Sequence, residues 1–371
     1  MQNYTVTLPH YSIGPTAYDE IGGVAAYFGK KAAVVGGATA LEKAGPSLRK
    51  ALEAAGIEIT DWFVYGSDAT MAAVDRIVTA PGVKSADMVF GVGGGRAVDT
   101  VKTAADMLGK PFFSCPTVAS NCAPVSAIAV IYREDGALDR YYFPKGCPAH
   151  CFINTSVILD SPEDLFWAGI GDALSKQIES QLASRGKKLS HTPLMGVQLG
   201  LICEAPLMAY GKTALADFRA NRLSEAFTEV VLDIIISTGI VSNLVTTASS
   251  YYYNSSLAHC FYNASMVLPK MHAHLHGEVV SFGNLVLLAA DGREDDLKRF
   301  VAFNRSIRLP ITLADIDVND ESEIDRIVDR ATSMREWTCV PYEMTKAKFK
   351  AAILAADAAG RAYLEATGGA E

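Results

Sequence analysis

The sequence predicts an α/β domain with a mostly parallel sheet over residues 1–161, followed by an all-α domain over residues 162–371. Two observations support this fold class. In the first part, short β-branched and aromatic runs alternate with amphipathic helical stretches, as in strand–helix–strand units. In the second part, long alanine- and leucine-rich stretches follow one another without a run typical of a strand.

Strand-like runs recur through the first domain. The run 31–37 ends in two glycines, and the stretch 41–55 after it has apolar residues spaced by three or four, as in a helix. The remaining strands are predicted at 59–66, 88–94, 111–117, 127–132 and 151–160. Strands separated by helices favour a parallel sheet with helices on both faces.

The helical domain begins at Ser161-Pro162-Glu163-Asp164. Proline suits the first turn of a helix, and the acids behind it complement the positive helix N-terminus. Helices are predicted at 163–185, 194–212, 223–248, 255–266, 278–290, 294–305, 322–334 and 346–365. The apolar runs at 230–241 and 285–290 are too short or too interrupted to predict a membrane span.

Composition excludes several functional classes. The 371 residues are half hydrophobic and carry a net charge of −8 without a basic block, which argues against a nucleic-acid or anionic membrane partner. The N-terminus lacks a basic start followed by an apolar run, so no signal peptide is expected. The seven scattered cysteines, including Cys147 and Cys151 around His150, favour reduced thiols over a disulfide framework or a zinc finger. We therefore expect a cytoplasmic protein that acts on a small molecule.

A glycine-rich loop, GVGGGRAVD at 91–99, joins a predicted strand to a helix. Glycines let the backbone approach a ligand closely, and the free N–H groups of a helix N-terminus suit a diphosphate. The loop does not match the ordinary GxGxxG fingerprint. Gly36-Gly37, after the first predicted strand, is a second and weaker signal. A tight turn without a ligand is the alternative interpretation of the loop.

Several segments, in order, resemble the glycerol dehydrogenase branch of the iron-containing alcohol dehydrogenase superfamily. GVGGGRAVDTVKTAAD (91–106) looks like its cofactor loop, and PTVASNCAPVSAIAVIY (116–132) is similar to its segment of nicotinamide and substrate contacts. AGIGDALSKQIES (168–180), AHCFYNA (258–264) and HGEVVSFG (276–283) look like its three metal-ligand segments. The resemblance implies a dehydroquinate synthase-like architecture, with the active site in the cleft between a dinucleotide-binding domain and a helical domain.

The resemblance also implies the metal ligands, Asp172, His259 and His276. One carboxylate and two imidazoles form a usual ligand set for a catalytic divalent metal. Iron-loaded relatives carry a further histidine four residues after the aspartate, where this chain has Lys176. Zinc is therefore the leading metal, with iron, nickel or manganese as alternatives. The neighbouring His272 and His274 are either proton-relay candidates or bystanders.

The cofactor implied by the resemblance is NAD or NADP. Gly94, Gly95 and Arg96 would hold the diphosphate. Relatives that prefer NAD end the first strand in an acid, and Gly37 stands there instead, so NADP is permissible. The expected cofactor contacts are Gly37, Gly94, Gly95, Arg96, Ala97, Val98, Asp99, Thr117, Val118, Ser120, Ser126, Ile128 and Tyr132.

Two positions bear on the substrate. Glycerol dehydrogenases have an aspartate where this chain has Cys122, next to Asn121. The lost negative charge and a lysine at 176 favour a 2-oxo or 2-hydroxy acid, whose carboxylate would pair with the ammonium. Lys176 is otherwise a solvated lysine or a partner of Glu179.

The expected activity is reversible hydride transfer between NAD(P)H and a small carbonyl compound, catalysed by a metal-dependent dehydrogenase acting on CH–OH groups. Glycerol or another polyol is the alternative substrate, a dehydroquinate synthase-like lyase is a rival enzyme class, and a non-catalytic binding protein is a third possibility. Few basic residues lie near the metal motifs, which argues against a lyase with a phosphorylated substrate. The resemblance also favours a homo-oligomer.

Overall fold

The structure is a computed structural model that describes residues 3–368. Its strands are β1 (Tyr11–Gly14), β2 (Lys31–Gly36), β3 (Glu58–Val64), β4 (Met88–Gly93), β5 (Phe112–Pro116), β6 (Ala129–Tyr132), β7 (Leu138–Tyr142) and β8 (His150–Asn154).

The α-helices cover more of the chain than the strands do. They are α1 (Ile21–Ala25), α2 (Ala38–Ala54), α3 (Met71–Thr79), α4 (Pro81–Ser85), α5 (Gly95–Met107), α6 (Thr155–Leu159), α7 (Glu163–Ala173), α8 (Ser175–Ser184), α9 (His191–Gly200), α10 (Ala205–Arg219), α11 (Glu225–Leu232), α12 (Thr238–Val245), α13 (Leu257–Ser265), α14 (His276–Ala290), α15 (Glu294–Ser306), α16 (Glu321–Ala331) and α17 (Lys346–Ala366).

The main sheet has six strands in the order β1-β8-β5-β4-β2-β3, and every pair is parallel. Strands β4, β5 and β8 are buried along their whole length. Continuous apolar runs are typical of parallel strands covered on both faces. The predicted fold class, a parallel α/β sheet followed by a helical region, is confirmed.

Two predicted strands differ from the structure. The run 127–132 does not join the main sheet, because its residues 129–132 form β6, which pairs antiparallel with β7. The run 151–160 is a strand only as far as Asn154. The Asn154 side chain accepts hydrogen bonds from the N–H groups of Ser156 and Val157, which caps helix α6 and ends the strand.

The long apolar run in the second half forms one continuous helical segment from Glu225 to Val245, with a π-helical turn at Asp233–Ser237. Its 21 residues are long and apolar enough to cross a membrane by length and composition, because the helix extends beyond the apolar run 230–241 at both ends. Because 72% of its apolar window is buried inside the molecule, it also fits a core helix.

The chain forms two compact units. The first extends through Pro162 and also contains Asp217–Asn243, whereas the second contains Glu163–Ala216 and resumes at Leu244. The first change of unit follows Pro162, one residue after the end of the predicted first domain, and the predicted division 1–161 and 162–371 does not include the return of 217–243 to the first unit. A Cβ at Gly239 would lie 2.1 Å from Val125 Cγ2, which shows how closely this returning segment packs.

Candidate metal centre and dinucleotide loop

Three possible metal ligands meet in the second unit. Asp172 lies near the end of α7, His259 lies in the first turn of α13, and His276 begins α14. Their donor atoms all lie within 4.8 Å of one another. Asp172 Oδ1 is 3.0 Å from His276 Nε2 and 3.5 Å from His259 Nε2. Within residues 3–368, this is the one group of three His, Cys, Asp or Glu donors arranged closely enough to hold a metal.

The donor chemistry fits a divalent first-row metal. Two imidazole nitrogens and one carboxylate oxygen are the protein ligands of many catalytic zinc sites, which keep a fourth position for substrate or water. The His276 side chain remains 37% exposed, so the group can be reached from solvent. Its ring packs edge-on against Tyr262, with the ring centroids 4.2 Å apart, which restrains its orientation.

Close helix packing brings these ligands together. Gly171 and Gly277 stand next to Asp172 and His276, at the contact between α7 and α14. A Cβ at Gly277 would lie only 1.8 Å from the carbonyl oxygen of Ala168, so no larger residue fits without moving a backbone. The two helices therefore approach at backbone distance, and this approach fixes the separation of the two ligands.

Glu179 is a second carboxylate at this centre. Its side chain is fully buried, and its Oε2 lies 2.6 Å from His259 Nδ1. Its Oε1 accepts hydrogen bonds from the N–H groups of Ser256 and His259, at the start of α13. His259 thus lies between two carboxylates, one at each ring nitrogen.

The local charges shift the pKa values of these groups strongly. Burial opposes ionisation of Asp172, but the adjacent His276 and His259 outweigh burial and hold its pKa well below the ordinary value. Burial also opposes protonation of His259, yet Glu179 and Asp172 raise its pKa to about 10. The concentrated negative charge that favours a ring proton also favours a divalent cation, which takes the place of that proton on binding.

Lys176 is buried rather than solvated, with 6% of its surface exposed. Its ammonium group donates to the Asn254 side-chain oxygen at 2.8 Å and lies 3.4 Å from the Asn254 carbonyl oxygen. The structure therefore does not support the interpretation of Lys176 as a surface lysine. Glu179 instead accepts hydrogen bonds from Ser256 and His259, so the second alternative, an ion pair between Lys176 and Glu179, is not formed either.

The predicted dinucleotide loops lie at one edge of the main sheet. Strands β5, β4 and β2 are adjacent, so the residues after each strand, Thr117, Gly94 and Gly37, follow at the same carboxyl edge. This edge is the usual ligand-binding side of an open parallel sheet. Gly93 has φ 148°, a conformation that favours glycine, and it turns the chain from β4 into α5.

The residues around this turn have several environments. Gly94 is the N-cap residue of α5, and Arg96 is exposed, 3.2 Å from Asp68 and over the Tyr132 ring. The remaining predicted cofactor contacts differ in burial. The half-buried ones are Gly95, Val118, Ser120 and Ile128, and the buried ones are Ala97, Val98, Thr117 and Ser126. Gly94, Gly95 and Arg96 thus keep solvent-accessible surface, whereas Ala97 and Val98 pack into the core.

Asp99 is oriented into the first unit. One carboxylate oxygen lies 3.0 Å from the Lys102 ammonium, and the other accepts the N–H of Val130. Lys102, which is also buried, donates to the carbonyl oxygen of Ile128 at 2.7 Å. Asp99 and Lys102 therefore hold the segment that contains Ser126 and Ile128, and Lys102 was not among the predicted site residues.

Asn121 and Cys122 lie beyond the end of β5. The Asn121 side chain lies against Gly95, since a Cβ there would be 2.6 Å from Nδ2. Cys122 is half-buried, and its carbonyl oxygen accepts two backbone N–H groups within a turn. The Asn243 side chain bridges Val125 and Ala127 of the same loop, a support that the sequence motifs did not reveal.

The other histidines singled out in the sequence do not belong to this group of three donors. The two ring nitrogens of His274 lie 3.0 Å from Glu278 and 3.1 Å from Asp317, and His272 is exposed. His150 is buried beside Ser12, and burial lowers its pKa to about 4. All seven cysteines are free thiols in the structure.

Comparisons with known proteins agree with this architecture. A family model described as iron-containing alcohol dehydrogenase matches residues 9–155. A glycerol dehydrogenase from Escherichia coli O6:H1 is 28% identical, over 90% of this chain and 90% of that protein. Hydroxycarboxylate dehydrogenase A from Escherichia coli K12 is 32% identical, over 65% of this chain and 66% of that protein.

A solved structure of glycerol dehydrogenase from Schizosaccharomyces pombe is similar along the whole chain. It is 26% identical, has a TM-score of 0.90, and the match covers 100% of this chain and 94% of that one. The sequence matches and this structural match point to the same family and to the same enzyme class. The chain belongs to the iron-containing alcohol dehydrogenase superfamily, in its glycerol dehydrogenase branch, and is an alcohol dehydrogenase of that family.

Proposed function

We propose that this protein catalyses metal-dependent hydride transfer between a nicotinamide dinucleotide and a small alcohol or carbonyl compound, with a preference for 2-oxo and 2-hydroxy acids. The meeting of Asp172, His259 and His276 is the single observation that carries the proposal, because it supplies a complete set of ligands for a catalytic divalent metal. A non-catalytic binding protein would not need to retain three donors in this arrangement.

The ligand set leads us to propose zinc as the metal. Lys176 occupies the position of the additional histidine that the sequence resemblance associates with iron, which leaves three protein ligands. When bound, the metal supplies Lewis-acid stabilisation of the negative charge that develops on the reacting oxygen. Asp172 and Glu179 together carry two negative charges, which match the charge of a divalent cation.

We further propose that the dinucleotide binds across the loops after β2 and β4. The N-terminus of α5 offers N–H groups to a diphosphate, and the exposed Arg96 guanidinium adds a positive charge. Gly37, the N-cap residue of α2, has no carboxylate that would repel a 2′-phosphate, so both NADH and NADPH are proposed as cofactors.

The proposed substrate preference rests on two side chains. The buried Lys176 ammonium, one helical turn beyond Asp172, would bind a substrate carboxylate in place of its present hydrogen bond to Asn254. At position 122, a thiol group avoids the repulsion that an aspartate would exert on an anionic substrate. Asn121, beside the glycine loop, would contribute a neutral hydrogen-bonding group.

Glycerol or a related polyol is the second candidate substrate. Its support is the similarity over 90% of the chain to a protein named glycerol dehydrogenase, and the S. pombe structure bears the same name. A neutral polyol has no carboxylate to pair with Lys176, so the two candidates differ in what they require of that residue.

A substrate panel and two ligand variants test the proposal. Glycerol, 1,2-diols, 2-oxo acids and aldehydes are assayed with both cofactors, and we expect the highest kcat/KM for a 2-oxo acid. His259→Ala and His276→Ala should lose both metal and activity, whereas His272→Ala, which changes an exposed histidine of the same segment, should retain them. Stoichiometric metal in both ligand variants would refute the assigned site, and a clear preference for glycerol with NAD would refute the proposed substrate class.

A further inference from the structure

We infer that Glu179 is a positioning residue that holds His259 in the ring orientation and tautomer needed to bind the metal. This inference rests on the proposed function, because it concerns a residue that acts on a proposed ligand. The relevant observations are three hydrogen bonds that one fully buried carboxylate accepts from Ser256 and His259, at the start of α13.

The same carboxylate fixes both the backbone and the ring of the ligand residue. Glu179 Oε1 accepts the His259 N–H at 2.9 Å, while Oε2 lies 2.6 Å from Nδ1 of the same residue. Oε1 also accepts the Ser256 N–H at 2.7 Å, so it satisfies two of the N–H groups left free at the start of the helix. The position of the His259 imidazole is thereby tied to the position of its own helix.

The contact also selects the tautomer. A carboxylate only accepts hydrogen bonds, so the proton of a neutral His259 ring resides on Nδ1, facing Glu179. The lone pair then lies on Nε2, the nitrogen that faces Asp172 Oδ1 at 3.5 Å. Metal-binding histidines commonly donate their second N–H to a carboxylate, which orients the ring and raises its basicity.

A second contact holds the same two segments together. Lys176, three residues before Glu179, donates to Asn254, which lies just before the start of α13. Glu179 and Lys176 thus join α8 to the segment 254–259 at adjacent points. Of these two side chains, only Glu179 contacts the His259 imidazole. Glu179 can therefore orient the ring, whereas Lys176 can only support the segment before the helix.

The test compares Glu179→Gln with Ser256→Ala. Glutamine keeps the size of the side chain and an oxygen that can accept the two backbone N–H groups, but its amide nitrogen would face Nδ1 as a donor. Ser256→Ala removes the hydrogen bond from Ser256 Oγ to the Cys339 carbonyl oxygen at the same helix start, and leaves the contact with the ring unchanged. Both proteins are first checked for folding by circular dichroism in the metal-free form.

Metal affinity is then measured by competition with a chromophoric chelator for Zn²⁺. We expect E179Q to bind zinc roughly 10–100-fold more weakly, and S256A to retain wild-type affinity even if its thermal stability falls. With Co²⁺ as the probe, the visible d–d absorption of E179Q should differ from wild type, because the ligand field at His259 changes, and that of S256A should not.

A measurement on the wild-type protein complements the variants, should E179Q fail to fold. With zinc bound, ¹⁵N NMR of the His259 ring should show a protonated Nδ1 and a metal-bound Nε2; a metal-bound Nδ1 would overturn the inference. Unchanged zinc affinity and an unchanged Co²⁺ spectrum in folded E179Q would overturn it as well, while leaving the proposed function intact. A wild-type protein that binds no metal would instead refute the proposed metal site and this inference together.

Discussion

Lys176 is the residue whose environment bears most directly on substrate choice. A buried ammonium group needs hydrogen-bonding partners, and Asn254 provides those recorded in the structure. A substrate carboxylate offers a charged acceptor, which forms a stronger hydrogen bond than the neutral amide oxygen. At the scale of single residues, this exchange of partners is the physical basis of the proposed preference for acids.

Replacing Lys176 by methionine should selectively weaken the use of acids. A hydrogen bond to a charged group contributes about 1.5–3 kcal/mol, so we expect kcat/KM for a 2-oxo acid to fall at least tenfold, with a much smaller change for a neutral aldehyde of similar size. Steady-state kinetics with both substrates measure this effect. Lys188→Met, which removes an exposed lysine, controls for the loss of charge. Equal losses for acid and aldehyde would show that Lys176 supports the fold rather than the substrate.

Some residue roles could be predicted from the sequence and others could not. Asp172, His259 and His276 stand in motifs whose order is visible in the chain, and the structure brings their donor atoms together. The contact of Glu179 with His259 was not predicted, because it depends on where α13 begins relative to α8. Asp99 lies in a loop motif, yet its carboxylate turns inward to Lys102, a direction that spacing along a helix does not specify.

At the scale of elements, the buried strands were easier to predict than the edges of the sheet. Four predicted strands, 31–37, 59–66, 88–94 and 111–117, match β2, β3, β4 and β5 to within about two residues, a normal uncertainty at element ends. Strand β1 was missed, because it is only four residues long, lies at the edge of the sheet and has a partly exposed pattern. Helices α3 and α4 were also missed.

The predicted helices of the second half differ from the observed helices mainly in where they are interrupted. The stretch 163–185 divides at Leu174 into α7 and α8. The stretch 194–212 falls on α9 and α10, which are separated by residues 201–204 and bent by 43°. Apolar periodicity indicates which residues face a core, but it does not show where the helix axis changes direction, since both helices keep an apolar face after the bend.

The π-helical turn in the segment 225–245 contains an unusual acid. Asp233 is only 2% exposed, and neither carboxyl oxygen accepts a hydrogen bond of normal geometry from the described residues. Burial raises its pKa to about 8, although Ser237 nearby opposes the shift. Asp233 is therefore protonated in the folded protein at neutral pH, and ionised in the unfolded chain above about pH 4.

This difference predicts how stability changes with pH. Between about pH 4 and pH 8, the folded state holds a proton that the unfolded state has lost, so the contribution of Asp233 is complete at acidic pH and disappears as the pH rises. Relative to wild type, Asp233→Asn should gain roughly 1.4 kcal/mol of unfolding free energy per pH unit across this window, as an upper estimate. Urea unfolding at pH 5 and pH 8 measures the gain, with exposed Asp75→Asn as the control. A gain that does not change with pH would show that Asp233 is ionised when folded.

At the scale of the whole molecule, the sequence changes from alternating to helical character near residue 161, and the first compact unit is interrupted after Pro162. The return of 217–243 to that unit was not predictable, because the apolar residues of a helix show that it is buried but not which hydrophobic core it packs against. Its attachment depends on particular contacts, such as Gly239 against Val125 and the Asn243 side chain across the loop 125–127. The homo-oligomer expected from the family resemblance stays a prediction.

Metal removal should affect the stability of the molecule as well as its activity. A ligand that binds only the folded state adds about 2.7 kcal/mol when it is present at 100 times its dissociation constant. We therefore expect a chelator to lower the thermal transition of the zinc-loaded wild type and to leave that of H259A almost unchanged. Calorimetry with and without chelator checks this. Equal shifts in both proteins would indicate an effect of the chelator unrelated to the site.

The glycine contact between α7 and α14 determines when during folding the chain can capture its metal. Asp172 and His276 are 104 positions apart in the sequence, so a newly made chain acquires both donors only after these two helices have docked. Contacts between such distant residues form late, because the intervening chain must first be ordered. Zinc supplied during refolding should consequently bind no earlier than the docking of α7 on α14, so the time course of zinc uptake would report when these two helices come together.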